Sequence, residues 1–196
     1  MSFWTRFKSR IKYEFLKLVK PEIIGHRKDE KDPLITDTRV SNVTHISFPH
    51  NVDLGDNVFI GHFNYIDGYD GVTIGDGCQI TNYVSVLTHS SHHAIRLYGD
   101  RYQAYWGTKM KGLRWGKVSI GEYTFIGPHS VVMPGSVIGK GCIIAAYSFV
   151  DGTVEDYSIM RGNPAQHVGD TRRADEELLT QFPELREFYY NKDAKG

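Results

Sequence analysis

Aliphatic residues recur every six positions through most of this 196-residue chain, and that period restricts the fold more than any other feature. Ile120, Ile126, Val132, Ile138, Ile144 and Val150 follow one another without a gap, several with glycine directly after. Four positions into each unit stands something small or β-branched: Thr124, Ser130, Ser136, Cys142, Ser148, Val154. Earlier runs keep the same step: Leu34, Val40, Ile46 and Val52; Leu54, Ile60 and Ile66; then Ile74, Ile80 and Val86. Starts at 34, 54 and 74 imply coils of eighteen residues with two-residue insertions at a corner. Neither the 3.6-residue helix nor the two-residue strand explains a strict six. Short strands do, if each ends in a bend and three make one turn of a triangular prism. The aliphatic residue fills the interior and the small one fits the crowded corner. Glycine or asparagine at the bends tolerates positive φ at least cost. Each coil then buries its faces only against its neighbours, as solenoids do. The fold class that follows is an all-β solenoid.

Charge and composition narrow the partners. Lys+Arg and Asp+Glu both number 23, so no net field gathers nucleic acid. No run approaches the twenty apolar residues of a membrane span. Residues 1–20 carry six basic side chains against the single acid Glu14, and the early charges break any signal-peptide core. In that segment Trp4, Phe7, Ile11, Phe15 and Leu18 recur at helical spacing, which predicts an amphipathic helix ending at Pro21. Such a helix suits peripheral contact with an anionic membrane surface or packing on its own oligomer, and both readings stay open. The stretch 28–33 reads as a solvated linker, and 169–196 as a short helical extension with Pro183 as a break. Cys78 and Cys142 occupy small-residue slots and show no metal or redox spacing, so they are expected to be structural thiols in a reducing cytoplasm.

The period, together with "NVFIGHFNYIDGYDGVTIGDGCQI" and the "RGNPAQHV" close at 161–168, resembles the hexapeptide-repeat acyltransferases. Within them it is most similar to sugar O-acetyltransferases of the galactoside, maltose, nodulation-factor and surface-polysaccharide type. The resemblance covers roughly residues 34–168. It implies a left-handed parallel β-helix, acetyl-CoA as co-substrate, no metal, and a homotrimer whose sites lie between subunits.

At "VSVLTHSSHHAIRLYGD", residues 84–100, the rhythm stops, and it resumes only at Val118. An aperiodic loop of this length, 88–117, inside a compact repeat is functional or disordered. Tyr98, Tyr102, Tyr105, Trp106 and Trp115 make it too aromatic for disorder. An ordered flap is expected, with Trp106 suited to the apolar face of a sugar. His89 ends the last regular unit, and an imidazole takes a proton near neutral pH. The resemblance aligns it with the family's general base, with His92 a lesser candidate for contacting the acceptor. Asn64 and Asp70 place polar side chains in slots where other units carry Ser, Thr, Val or Cys, which calls for hydrogen bonding or function. By the resemblance Asn64 is the active-site asparagine, and Asp67 or Asp70 is the acid that holds the sugar. Ala145 and Ala146 in "IIAAYSFVDG" match the segment that lines the pantetheine arm. Where relatives often carry Thr-Lys this chain reads Asp151-Gly152, so Lys140 and Arg161 become the candidates for the coenzyme phosphates.

Two rival readings keep the scaffold. A γ-class carbonic anhydrase would use His62, His89 and His129 on zinc, although no two of these stand five residues apart as that family's histidine pair does. A non-enzymatic assembly subunit would require the flap to be an interface only.

Overall fold

The computed structural model describes Trp4 and residues 20–25, 38–105 and 110–190. Three walls of short strands build the prism. The first wall stacks Arg39–Ser41, Phe59–Ile60, Gln79–Ile80, Phe125–Ile126, Ile143–Ile144 and Ser158–Arg161 in parallel. The second stacks His45–Ser47, Tyr65–Asp67, Ser85–Val86, Val131–Val132 and Phe149–Val150. The third stacks Val52–Leu54, Val72–Ile74, Val118–Ile120, Val137–Ile138 and Thr153–Val154. The chain visits first, second and third walls in turn, as a left-handed β-helix.

The six-residue period is the period of burial. Ile60, Ile80, Ile126 and Ile144 form one interior column, and Ile66, Val86, Val132 and Val150 a second, all at most 1% exposed. Leu54, Ile74, Ile120, Ile138 and Val154 form the third. Val154 therefore stands opposite Ile138 in an aliphatic column and not in a small-residue slot, because the last coil turns the corner after Val150 in fewer residues. The small slots at Thr124, Ser130, Ser136, Cys142 and Ser148 are buried, and two of the hydroxyls bond carbonyls of the next coil, Thr124 Oγ1 to Gly139 O at 2.8 Å and Ser130 Oγ to Ala145 O at 3.0 Å, while Ser148 Oγ turns back to Ala145 O at 2.7 Å. A small polar side chain thus satisfies a corner carbonyl that no strand reaches.

Aromatic residues take several of the bends, Tyr123 and Tyr157 on the third–first edge among them. Phe63, Tyr83, His129 and Tyr147 take the positive φ reserved for glycine or asparagine, at 60°, 60°, 60° and 59°. Each such position costs roughly 1–2 kcal/mol. Their rings stack rung on rung, with centroids 5.2, 4.8 and 4.8 Å apart, which offsets part of that cost.

The ends close the barrel. Ile23–Gly25, which spacing assigns to the region before the repeats, adds to Arg39–Ser41 as an antiparallel strand. Gln166–Asp170 turns back antiparallel on Ser158–Arg161. Asp170 caps the helix α1, Thr171–Gln181, by accepting from Arg172 N at 2.9 Å, and Pro183 opens a 3₁₀ turn, Pro183–Glu187. The expected amphipathic helix of residues 1–20 lies outside the described residues, apart from Trp4 and Lys20. No helix among the described residues is long and apolar enough to cross a membrane.

Candidate active site

The edge between the second and third walls is where the repeat lengthens. Ile46 to Leu54 and Ile66 to Ile74 each span eight residues, against six from Val132 to Ile138. The enlarged corners carry Phe48 and Tyr69, and the excursion leaves the same edge after Val86. Gly68 lets these corners nest: a Cβ there would lie 2.6 Å from the carbonyl oxygens of both Ser47 and Phe48. The two aromatic rings meet edge to face at 5.2 Å as a result.

The excursion is anchored at its root. His89–Ser90 pairs antiparallel with Arg114–Trp115, so departing and returning strands leave side by side. Beyond them a short helix, Ala94–Tyr98, runs into a 3₁₀ segment, Gly99–Tyr105. Trp106 lies outside the described residues. Arg114 reaches from the returning strand to the last coils, donating to Asp151 Oδ2 at 2.7 Å and to Pro134 O at 3.0 Å. The aspartate that replaces the Thr-Lys pair is thereby committed to an arginine, which holds its carboxyl below the ordinary value.

His89 and Asp67 sit at the centre of this edge. His89 Nδ1 lies 2.6 Å from Asp67 Oδ2, with side chains 30% and 1% exposed. Asp67 also accepts from Thr88 Oγ1 at 2.9 Å, Thr88 N at 3.1 Å, Tyr69 N at 3.1 Å and Ser47 Oγ at 3.2 Å. Burial pushes the Asp67 carboxyl up, but the bonds from Thr88, Tyr69 and His89 outweigh it and hold the group ionised, below its ordinary value. An ionised Asp67 makes Nδ1 the protonated ring nitrogen of neutral His89 and leaves the lone pair on Nε2. Tyr69 and Trp115 flank the imidazole at 5.2 and 6.1 Å, and they touch each other at 5.1 Å. The arrangement is a partly exposed imidazole, oriented from beneath by a buried carboxylate and walled by aromatic rings.

The other expected residues fall into place or away from it. Asp67, the alternative to Asp70 as the acid that holds the sugar, has its carboxylate buried and spent on His89 and four further donors. Asp70 does not point into a packed slot, because the two-residue insertion lifts it onto the enlarged corner, where it is half-buried and its N–H donates to Thr88 Oγ1 at 3.0 Å. Asn64 is 3% exposed, and its amide bridges coils, donating to Gly61 O and Thr81 O and accepting from Val84 N. That commitment makes it a corner bridge and not a free hand for the acceptor. His92 is exposed and bonds Ser90 Oγ at 2.7 Å. Ala145 and Ala146 lie on the first–second edge, and Arg161 ends the strand above them. Lys140 sits on the third–first edge instead, its Nζ 5.5 Å over the Tyr157 ring. Phe48, Tyr69, Ser47 and Thr88 were not singled out from the sequence; the two-residue lengthening of the period at one corner was the signal that marks them.

His62 and His129 both stand on the first–second edge, away from His89. His62 Nδ1 is 2.7 Å from Ser41 Oγ, and His129 is stacked between Tyr83 and Tyr147. The histidines named for zinc are thus not gathered, and no group of three or more His, Cys, Asp or Glu among the described residues is placed to hold a metal ion.

A prism built of six-residue units, with an imidazole–carboxylate pair at the root of an excursion, is the architecture of a hexapeptide transferase. Residues 117–152 match the family described as bacterial transferase hexapeptide (six repeats), and residues 51–87 the hexapeptide repeat of succinyl-transferase. A Staphylococcus aureus (strain Mu50) protein whose name marks it as an acetyltransferase is 32% identical over 172 residues, 85% of this chain and 79% of its own. The galactoside O-acetyltransferase of Escherichia coli (strain K12) is 30% identical over 155 residues, 77% of this chain and 64% of its own. Among solved structures, a galactoside acetyltransferase in complex with coenzyme A aligns with a TM-score of 0.56 at 26% identity, over 78% of this chain and 66% of that one. The chain spans only 41% of the length of a matching Mycobacterium tuberculosis protein. It belongs to the hexapeptide-repeat acetyltransferases.

Proposed function

We propose that the protein is an acetyl-CoA-dependent O-acetyltransferase that acts on a sugar hydroxyl, in surface-polysaccharide or lipopolysaccharide synthesis. The observation that carries the reading is the 2.6 Å contact between His89 Nδ1 and Asp67 Oδ2, which leaves Nε2 as the basic nitrogen. An alcohol needs a base before it attacks a thioester. Nε2 takes the hydroxyl proton while the oxygen forms its bond to the acetyl carbonyl carbon. The negative charge of the tetrahedral intermediate is met by a backbone N–H. Collapse breaks the C–S bond, and the imidazolium returns its proton to the departing thiolate. Asp67 stabilises the transient imidazolium without itself taking a proton.

The sugar is favoured by the aromatic rings around the base. Phe48, Tyr69 and Trp115 are 45%, 43% and 36% exposed beside the base and suit the C–H face of a pyranose, with the half-buried Asp70 beside them for its hydroxyls. His92 and Trp106 are assigned to the acceptor. The galactoside relatives support both this acceptor class and the coenzyme. The coenzyme is assigned to the first–second edge, with its arm along Ala145 and Ala146 and a phosphate at Arg161. Direct transfer suits the thiols, because Cys78 and Cys142 are buried and burial pushes the Cys78 thiol up to about 11. A cytoplasmic homotrimer with sites between subunits completes the reading, with residues 1–20 as its membrane-facing or oligomer-packing element.

A panel of glycosides and nucleotide sugars incubated with acetyl-CoA, read by a 42-dalton mass gain (roughly one acetyl for hydrogen), tests it. Acetylated sugar with stoichiometric thiol release is expected. Acetylation of amines alone would overturn the assignment to hydroxyls.

A further inference from the structure

Thr88 is fully buried between Asp67 and Asp70, and the direction of its hydroxyl follows from its neighbours. Asp70 N–H donates to Thr88 Oγ1 at 3.0 Å, and a backbone amide can only donate. The hydroxyl proton is therefore left for the other partner, Asp67 Oδ2, 2.9 Å away. Thr88 N–H reaches the same oxygen at 3.1 Å. Two donors of settled polarity thus converge on the carboxylate oxygen that faces His89 Nδ1. Oδ1 is held separately, by Tyr69 N–H and Ser47 Oγ–H.

We infer that Thr88 is a positioning residue, whose hydroxyl, aimed by the Asp70 amide, anchors Asp67 Oδ2 beneath His89 and draws off part of its charge. The inference rests on His89 as the base and Asp67 as its partner. An unanchored carboxylate rotates, and one with fewer donors is more basic and pulls harder on the Nδ1 proton. It would then stabilise the imidazolium more than catalysis needs, so the base stays occupied to higher pH. The Thr88 hydroxyl is the foremost of the hydrogen bonds that lower the Asp67 carboxyl, which agrees with this role. The groups facing His89 are few. Asp67 and Tyr69 touch it, Asp70 shares its corner, Arg114 lies on the paired strand but is bound to Asp151, and His92 is bonded to Ser90.

The test compares Thr88→Val with Thr88→Ser in the full-length protein. For Thr88→Val the acid limb of kcat/KM should move to higher pH by about half a unit or more. Its kcat should fall about tenfold while the KM for acetyl-CoA stays within about twofold. The NMR signal of the His89 Nδ1 proton in free enzyme should move as well. Thr88→Ser keeps the hydroxyl and should restore all three. Should Thr88→Val fail to fold, Thr88→Ala is read in its place. An unmoved acid limb and Nδ1 signal in the hydroxyl-free variant, or a serine variant that behaves like valine, overturns the inference. Retained turnover in His89→Ala would instead sink the base assignment, whatever the Thr88 variants show.

Discussion

His89 and Asp67 lie 22 residues apart in sequence yet meet at 2.6 Å, because they occupy equivalent corners of consecutive coils. The strand that ends in Asp67 is paired in register with the strand before His89, Ile66 against Val86. The stiffness of that ladder sets the distance, and no flexible element intervenes between the carboxylate and the imidazole. Asp67 belongs to the ladder of the second wall, whereas His89 opens the excursion and is held by the pairing of His89–Ser90 with Arg114–Trp115.

The buried anion should make stability pH-dependent in a defined direction, and replacing it should remove that dependence. The carboxyl of Asp67 is lowered on folding, so its contribution is present above the unfolded value of about 3.9 and lost as pH falls through the folded one. Asp67→Asn should cost about 1–3 kcal/mol at pH 7. The gap to wild type in urea unfolding should narrow as pH drops below about 4. A gap that widens in acid would contradict the ionised, donor-satisfied carboxylate.

Thiol chemistry separates direct transfer from an acetyl-enzyme. Cys78 Sγ–H donates to Gly121 O, and Cys142 Sγ–H to Glu155 O, inside the small-residue columns. Neither should react with a disulfide reagent at pH 8 until the protein unfolds. Cys78→Ser and Cys142→Ser should keep turnover within about twofold of wild type. Loss of activity in either folded variant would point to a covalent intermediate.

The interior columns predict where a cavity hurts. Ile126 is fully buried between Ile80 and Ile144, and Ile126→Ala should cost about 2–5 kcal/mol in urea unfolding. Val137, almost half exposed on the third wall, should tolerate alanine within about 1 kcal/mol. Equal losses at the two sites would mean that the period does not mark the core.

Arg114 should act as a strap. It joins the returning strand of the excursion to Asp151 and Pro134, so Arg114→Ala frees that strand from the last coils. Limited proteolysis should then cut within 91–113 at least about tenfold faster, with the prism intact. Unchanged cleavage would show that the strands His89–Ser90 and Arg114–Trp115 hold the root unaided.

The scaffold was legible in the sequence because its signal repeats. Ile120 to Val150 states the same instruction six times, and each repetition has one wall to fill. His89 was legible as well, as an imidazole standing where that rhythm breaks. Its support was not. Asp67 and Asp70 look alike in one dimension, and only the two-residue insertion decides that the first turns inward while the second stays on the corner. Thr88 reads as an ordinary loop residue until its bonds to Asp67 and Asp70 are seen. Asn64 misled in the opposite sense, since a polar residue in an apolar slot signals function or bridging equally, and here the amide bridges Gly61, Thr81 and Val84. Arg114 and Asp151 are 37 residues apart, with no period linking them. The aromatic ladder at positive φ ran against backbone preference, and stacking across coils is invisible to a rule applied one residue at a time.

The most direct test is thiol release from acetyl-CoA by wild type and His89→Ala, with the best sugar acceptor from the panel and coenzyme binding measured by calorimetry. The account predicts that turnover falls by about 10²–10⁴-fold while coenzyme still binds. A His89→Ala enzyme that acetylates the sugar at close to the wild-type rate would contradict it.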